Sequence, residues 1–216
     1  MEGITYDYMV DYLRGLIRDN IPVIKELEAY AADNNIPIVQ KETSRFLELI
    51  TTIQRPKRIL ELGTAIGYSS ILMSESLDNN VDILTIERDS RMIAIAKDNI
   101  VRYGYKNIKI LEGEALEILA SLEGTFDMIF LDGGQGHYIH YLPHCLRLLA
   151  KEGVIVADNV LFRGMVASDE LIKRRKITIV KRMRKYLDEV NANPTLITSV
   201  IPMGDGIAVT RRRIKT

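Results

Sequence analysis

The segment Ile59-Leu60-Glu61-Leu62-Gly63-Thr64-Ala65-Ile66-Gly67-Tyr68-Ser69-Ser70 constrains the fold more than any other part of the 216-residue chain. An apolar run closes on an acid, passes through a glycine-bearing turn and opens a helix-like stretch. Strand, tight loop and helix start, in that order, begin a Rossmann-like βαβ unit. Apolar runs recur at Ile59–Leu62, Val81–Ile86, Ile108–Leu111, Phe126–Leu131 and Val154–Ala157. Helical stretches lie between them near Ser69–Ser76, Ser90–Tyr103, Leu116–Leu122 and Ile139–Leu149. This alternation predicts an α/β fold with a mostly parallel sheet covered by helices on both faces. At the end of the chain, Thr195–Pro202 and Ile207–Arg211 read as strands joined by Gly204-Asp205-Gly206. That hairpin makes a seven-stranded sheet with one C-terminal antiparallel strand.

Ahead of the first strand the spacing predicts helices over Tyr8–Arg18, Ile24–Ala32 and Glu42–Ile53. They form an N-terminal helical cap (1–55) on a Rossmann-like core (56–216), within one domain. A chain of this length fills one core and would be cramped as two. No apolar stretch is long enough to span a bilayer and no leader is evident, so the expectation is a soluble, cytoplasmic protein without a membrane partner. Cys145, the only cysteine, falls on a helix face as a small core residue. The basic segment Leu171–Val190 reads as mostly helical, with Ile177–Val180 a β-branched patch where the helix could break or start late.

The neutral net charge hides an asymmetry. Residues 1–160 carry 16 Lys/Arg against 24 Asp/Glu, a balance of −8, whereas residues 161–216 carry 13 against 5, a balance of +8. Three basic clusters fall in that short region. Arg163, Lys173, Arg174, Arg175, Lys176, Lys181 and Arg182 are therefore candidate phosphate contacts on an RNA, together with Arg211–Arg213. The alternative is a solvated basic face.

Gly63 and Gly67 let the backbone approach a ligand closely, and Glu87 closes the second strand where ribose hydroxyls would donate to it. The loop reads G-x-x-x-G, not the G-x-G-x-x-G of a dinucleotide cradle, and Glu61 would repel a pyrophosphate. An acid there suits a cationic amino group, which favours S-adenosylmethionine over a nicotinamide dinucleotide. Glu114, after the third strand, is a candidate for the adenine edge. The fourth strand ends Leu131-Asp132-Gly133-Gly134 and the fifth Ala157-Asp158-Asn159. In a parallel sheet these ends meet at the carboxyl edge. Two carboxylates and an amide oxygen suit a hard cation, Mg²⁺ or another divalent ion. Tyr68, Tyr138 and Tyr141 fall near this predicted site, either to stack on a base or to pack the core.

The set L-E-L-G-T-A-I-G-Y-S-S, E-R, F-L-D-G-G-x-x-x-Y-x-x-Y and G-V-I-V-A-D-N resembles the metal-dependent class I O-methyltransferases of the catechol/caffeoyl-CoA type, over nearly the whole chain. The stretch from Arg174 through Val200-Ile201-Pro202-Met203-Gly204-Asp205-Gly206 narrows the resemblance to the bacterial tRNA-modifying branch that methylates wobble 5-hydroxyuridine. The resemblance implies that Asp132, Asp158 and Asn159 ligate the metal, with Asp132 acting in catalysis through it. It implies that Val39, Glu61, Gly63, Ser69, Glu87, Glu114, Ala115 and Asp132 line the cofactor. A homodimer and an anticodon-loop partner are further implications. One position departs: Gln135 stands where many members carry a lysine proposed as general base. His137, with His140 beside it, is then the candidate base. The expected reaction is metal-assisted methyl transfer to the 5-hydroxyl of tRNA 5-hydroxyuridine. The alternatives are a small-molecule catechol or phenol acceptor and a non-catalytic RNA-binding protein on the same scaffold.

Overall fold

A computed structural model describes residues 4–213. Three helices, α1 (Asp7–Leu16), α2 (Pro22–Asp33) and α3 (Lys41–Gln54), precede β1 (Arg58–Leu62). Then follow α4 (Tyr68–Glu75), β2 (Asp82–Glu87), α5 (Ser90–Arg102), β3 (Ile108–Glu112), α6 (Ala115–Ser121) and β4 (Phe126–Leu131). The chain closes with α7 (Tyr138–Leu148), β5 (Leu149–Ala157), α8 (Ile177–Ala192), β6 (Leu196–Ile201) and β7 (Ile207–Arg212).

The sheet order is β3-β2-β1-β4-β5-β7-β6. β1 to β5 pair in parallel, and β7 enters antiparallel between β5 and β6. The strand order reverses between β1 and β4, and a crevice opens at such a point beyond the strands' carboxyl ends. Alternate strand residues feed two cores. Ile59, Met128 and Phe130 pack with Ile24, Leu27 and Leu47 from the N-terminal helices. Leu60, Leu62, Ile129 and Leu131 pack with Tyr138, Met183 and Tyr186 from α7 and α8. This is the period of two expected of strands buried on both faces.

The basic segment, expected mostly helical over 171–190 with a break or late start at Ile177–Val180, takes the late start. The helix begins only at Ile177, after two short 3₁₀ turns at Asp169–Leu171 and Arg174–Lys176. Lys173–Lys176 are all exposed. Four consecutive cations, with Lys173 and Lys176 as i,i+3 neighbours on a helix, bring like-charge repulsion and no apolar group to bury, so nothing offsets the cost of helix there. From Val180 onward, buried Met183, Tyr186 and Val190 supply that gain. Cys145 is fully buried, as its helical position implied. Among the described residues, no helix is long and apolar enough to cross a membrane.

Candidate active site

A cleft of about 590 Å³ opens at the carboxyl ends of β1, β2, β4 and β5. Its floor comes from the tight packing of two strand ends. Gly63 sits at φ +100°, and a Cβ there would lie 2.8 Å from the Gly133 nitrogen. A Cβ on Gly133 would reciprocally meet the Gly63 Cα at 2.9 Å. Only a pair of glycines allows these two main chains to touch.

Glu87 reaches the cleft from the end of β2. Its carboxylate accepts the Ala65 amide at 3.1 Å and the Arg88 and Asp89 amides at 2.9 and 3.0 Å. With about four lone-pair sites on a carboxylate, it keeps acceptor capacity for a hydroxyl-bearing ligand. Glu61 is placed differently from its neighbours in the motif. It is fully buried and outside the cleft lining. Its carboxylate accepts hydroxyl hydrogen bonds from Ser69, Ser70 and Thr85, the last at 2.6 Å. Burial pushes its pKa up while the three hydroxyls pull it down. Glu61 thus ties β1, α4 and β2 together beneath the glycine turn. Ser69, spent on that tie, is also outside the cleft lining.

Asp132 and Asp158 line the cleft side by side with Asn159. Asp158 is 2% exposed. Burial and the charge of Asp158 drive the Asp132 carboxyl well up, and burial drives Asp158 up as well. Among the described residues neither has a cationic partner within ion-pair distance. Two carboxylates facing one space, Asp158 buried and Asp132 half-buried, are costly without a countercharge. Among the described residues there is no metal-ready group of three or more His, Cys, Asp or Glu side chains. The donor set is instead two carboxylates and an amide, which fits a hard divalent cation that keeps its remaining sites for water or substrate oxygens. Gln135 Nε2 donates to Asn159 Oδ1 at 3.1 Å.

The loop after β5 forms one wall. Asn159, Phe162 and Arg163 all have positive φ (58°, 46° and 55°), a strained run that persists only when its surroundings hold it. Asp205 accepts the Arg163 amide, and Val160 donates to Gly206 O at 3.0 Å. Arg184 of α8 donates to Val166 O at 2.9 Å and pairs with Asp169 at 2.7 Å. Among the described residues Phe162 is the one aromatic in the cleft lining, with the Lys176 ammonium 5.6 Å from its ring centre. Lys173, Lys176 and Arg163 complete the rim. The site therefore joins an acidic floor to a basic mouth.

Of the residues named from sequence, Val39, Gly63, Glu87, Asp132, Asp158, Asn159, Arg163, Lys173 and Lys176 come together in this cleft. Glu114 lies outside its lining, exposed and paired with Arg88 at 3.1 Å, with Ala115 next to it at the start of α6. His137 and His140 are exposed and also outside the lining. Tyr68, Tyr138 and Tyr141 are all buried, so their apolar rings go to the core. Arg174, Arg175 and Lys181 are exposed away from the lining, and Arg182 donates to Gly136 O at 3.3 Å. Arg211 lies at the opposite end of the sheet. It pairs with Val154 on β5, while Ala208 pairs with Ala157 at the cleft edge. There Arg211 salt-bridges Glu152 at 2.9 Å.

The O-methyltransferase family model matches residues 17–213, almost the whole chain. The chain belongs to the O-methyltransferase family. It is 34% identical over 170 residues to a catechol O-methyltransferase of Niastella koreensis, covering 76% of this chain and 75% of that one. It is 29% identical over 201 residues to caffeoyl-CoA O-methyltransferase 1 of Eucalyptus globulus, covering 88% and 81%. A Podospora anserina methyltransferase solved with SAH has the same fold, with a TM-score of 0.88 at 24% identity over 96% of this chain and 95% of that one.

Within this O-methyltransferase fold, the cleft residues that sequence reasoning missed are Pro37, Ile38 and Gln40 beside Val39, and Phe162, Met165 and Asp205. Asp205 lies in a Gly-Asp-Gly stretch that reads as a bare turn. Its signal was the antiparallel entry of β7, which brings that turn to the carboxyl edge. Phe162 had no signal beyond its closeness to Asp158, because left-handed backbone aims it.

Proposed function

We propose that the protein transfers a methyl group from S-adenosylmethionine to the 5-hydroxyl of 5-hydroxyuridine at the tRNA wobble position. The observation that carries this reading is the sharing of one cleft by Lys173, Lys176 and Arg163 with Asp132 and Asp158. A neutral catechol has no use for a cationic mouth, whereas a nucleotide brings phosphates to it. Arg174, Arg175 and Lys181 extend the basic surface outward for the anticodon loop. The cofactor assignment is supported by Glu87 at the ribose position, the Gly63 approach and the SAH carried by the Podospora relative.

The residues divide the work as follows. Glu87 would accept the ribose hydroxyls of S-adenosylmethionine, and Gly63 lets the cofactor lie against the main chain. Asp132, Asp158 and Asn159 would hold Mg²⁺ or another divalent ion, which supplies the charge that lowers an acceptor hydroxyl's pKa. Phe162 gives the acceptor ring a flat apolar face. Holding methyl donor and acceptor oxygen in line is itself a large share of catalysis. Among the described residues no histidine lines the cleft, and the Gln135 amide neither takes nor gives a proton at neutral pH. The acceptor hydroxyl must then ionise readily by itself. The enol-like 5-hydroxyl beside a 4-carbonyl does so and offers two vicinal oxygens.

A second reading, a small catechol or phenol acceptor, is favoured by the names of the relatives, including the 34%-identical catechol O-methyltransferase. Labelled S-adenosylmethionine separates the two when supplied with tRNA bearing 5-hydroxyuridine or with a simple catechol, each with Mg²⁺ or EDTA. Metal-dependent labelling of the tRNA is expected. Labelling of the catechol alone would transfer the conclusion to the second reading. We also propose a homodimer formed through α1. That helix buries none of its own residues and displays Tyr8, Tyr12 and Leu16, one turn apart, at 68%, 64% and 62% exposure.

A further inference from the structure

The paired registers of β4 and β5 end at Leu131 and Ala157, one residue short of each carboxylate. Beyond that point single main-chain hydrogen bonds from the Asp132 and Asp158 amides continue the pairing, against the tendency of two like charges in a poorly solvated space to splay apart. A side chain adds a further tie across the gap. Tyr138, the first residue of α7, is fully buried. Its hydroxyl donates to Leu131 O at 2.8 Å and lies 3.2 Å from Asp158 O. Leu131 O also accepts the Asp158 amide at 2.9 Å. The phenol therefore sits on the carbonyl just before one carboxylate and on the carbonyl of the other carboxylate residue itself.

We infer that the Tyr138 hydroxyl is a positioning group that fixes the separation of Asp132 and Asp158, and so sets how tightly the pair holds a divalent cation. The inference rests on the cation reading above. A matched control is built into the fold. The Tyr186 ring packs edge-on against Tyr138, with centroids 5.6 Å apart. Tyr186 is equally buried, but its hydroxyl has no hydrogen-bond partner among the described residues. Tyr138→Phe and Tyr186→Phe each remove one oxygen from a buried ring at nearly the same place. Only the first removes a bond to the carboxylate-bearing strand ends.

The experiment is titration of the full-length protein with Mn²⁺, following the free ion by electron paramagnetic resonance, alongside thermal unfolding of each variant. Wild type is expected to bind Mn²⁺. Tyr138→Phe is expected to bind about tenfold more weakly, the low end of the ~10–100-fold scale for losing a hydrogen bond to a ligand, because Tyr138 acts through the main chain that carries the carboxylates. Tyr186→Phe is expected to match wild type. Wild-type affinity in Tyr138→Phe, or equal weakening in both variants, overturns the inference. So does loss of cooperative unfolding in Tyr138→Phe alone, which would make the hydroxyl a folding element. Failure of wild type itself to bind Mn²⁺ removes the cation reading and this inference with it.

Discussion

Gly63→Ala tests whether the cleft floor depends on two main chains in contact, and Gly67→Ala is its natural comparison. Both glycines have positive φ, +100° and +86°, so alanine at either is strained by about 1–2 kcal/mol. They differ in space. A Cβ on Gly63 would lie 2.8 Å and 2.9 Å from backbone atoms of Gly133, whereas one on Gly67 would meet nothing nearer than 3.8 Å. The strands cannot part freely at Gly63, because Asp132 N donates to Leu62 O at 3.0 Å. Losing that bond costs about 1 kcal/mol, and forcing a methyl between the chains adds about 1–3 kcal/mol. Gly63→Ala should then cost about 3–6 kcal/mol, against about 1–2 for Gly67→Ala. At about 2–4 °C per kcal/mol for a domain of this size, calorimetry should show Tm falling by about 6–24 °C for Gly63→Ala. Gly67→Ala should fall by about 2–8 °C on the same scale. Because the displaced strand carries Asp132, Gly63→Ala should also lose methyl transfer at temperatures where it remains folded. Equal Tm losses in the two variants would refute the contact argument and leave backbone strain as the sole cost.

Glu61→Gln should retain most stability, since an amide oxygen can still accept from Ser70 and Thr85 while its NH₂ faces Ser69. Glu61→Ala removes the acceptor of three buried hydroxyls, leaving Ser69 and Ser70 unpaired while Thr85 keeps Thr64, and should cost about 3 kcal/mol or more by denaturant unfolding. If Glu61→Gln instead keeps its Tm but raises KM for S-adenosylmethionine at least tenfold, the carboxylate does face the cofactor's ammonium, as the sequence suggested. Burial raises the Asp132 pKa and lifts that of Asp158 to about 7. The folded state then holds protons that the unfolded state has released, so metal-free protein should lose stability as pH climbs from the ordinary carboxyl range through about 7. Asp158→Asn should flatten that slope. A Tm in EDTA that rises across the window would contradict the sign. Tyr12→Glu with Leu16→Glu should convert a dimer to a monomer in size-exclusion light scattering at little cost in Tm, because neither side chain packs in the core; an unchanged mass at the dimer value would dismiss α1 as the interface.

Much of this molecule could be read along the chain. Alternating apolar runs gave the strands, because a strand buried on both faces must be apolar at nearly every position. The hairpin after Pro202 implied the antiparallel entry of β7. Asp132, Asp158, Asn159 and Glu87 were legible because each ends a parallel strand, and parallel strand ends share one edge. Other assignments depended on where side chains point in three dimensions. Glu61 and Glu87 look equivalent as acids closing strands. Only the packing of β1 between β2 and β4 turns the first inward to three hydroxyls and leaves the second at the cleft. Sequence left Tyr138 and Tyr141 open between stacking on a base and packing the core; their rings fill the core and Phe162 supplies the cleft's aromatic face. The basic clusters look alike in sequence as well. Lys173 and Lys176 reach the cleft, Arg182 and Arg184 tie down backbone carbonyls, and Arg211 sits at the far end of the sheet. Local pattern and strand order therefore fixed the architecture and the acidic floor. Side-chain direction decided the rest, because it is set by contacts between segments far apart in the chain.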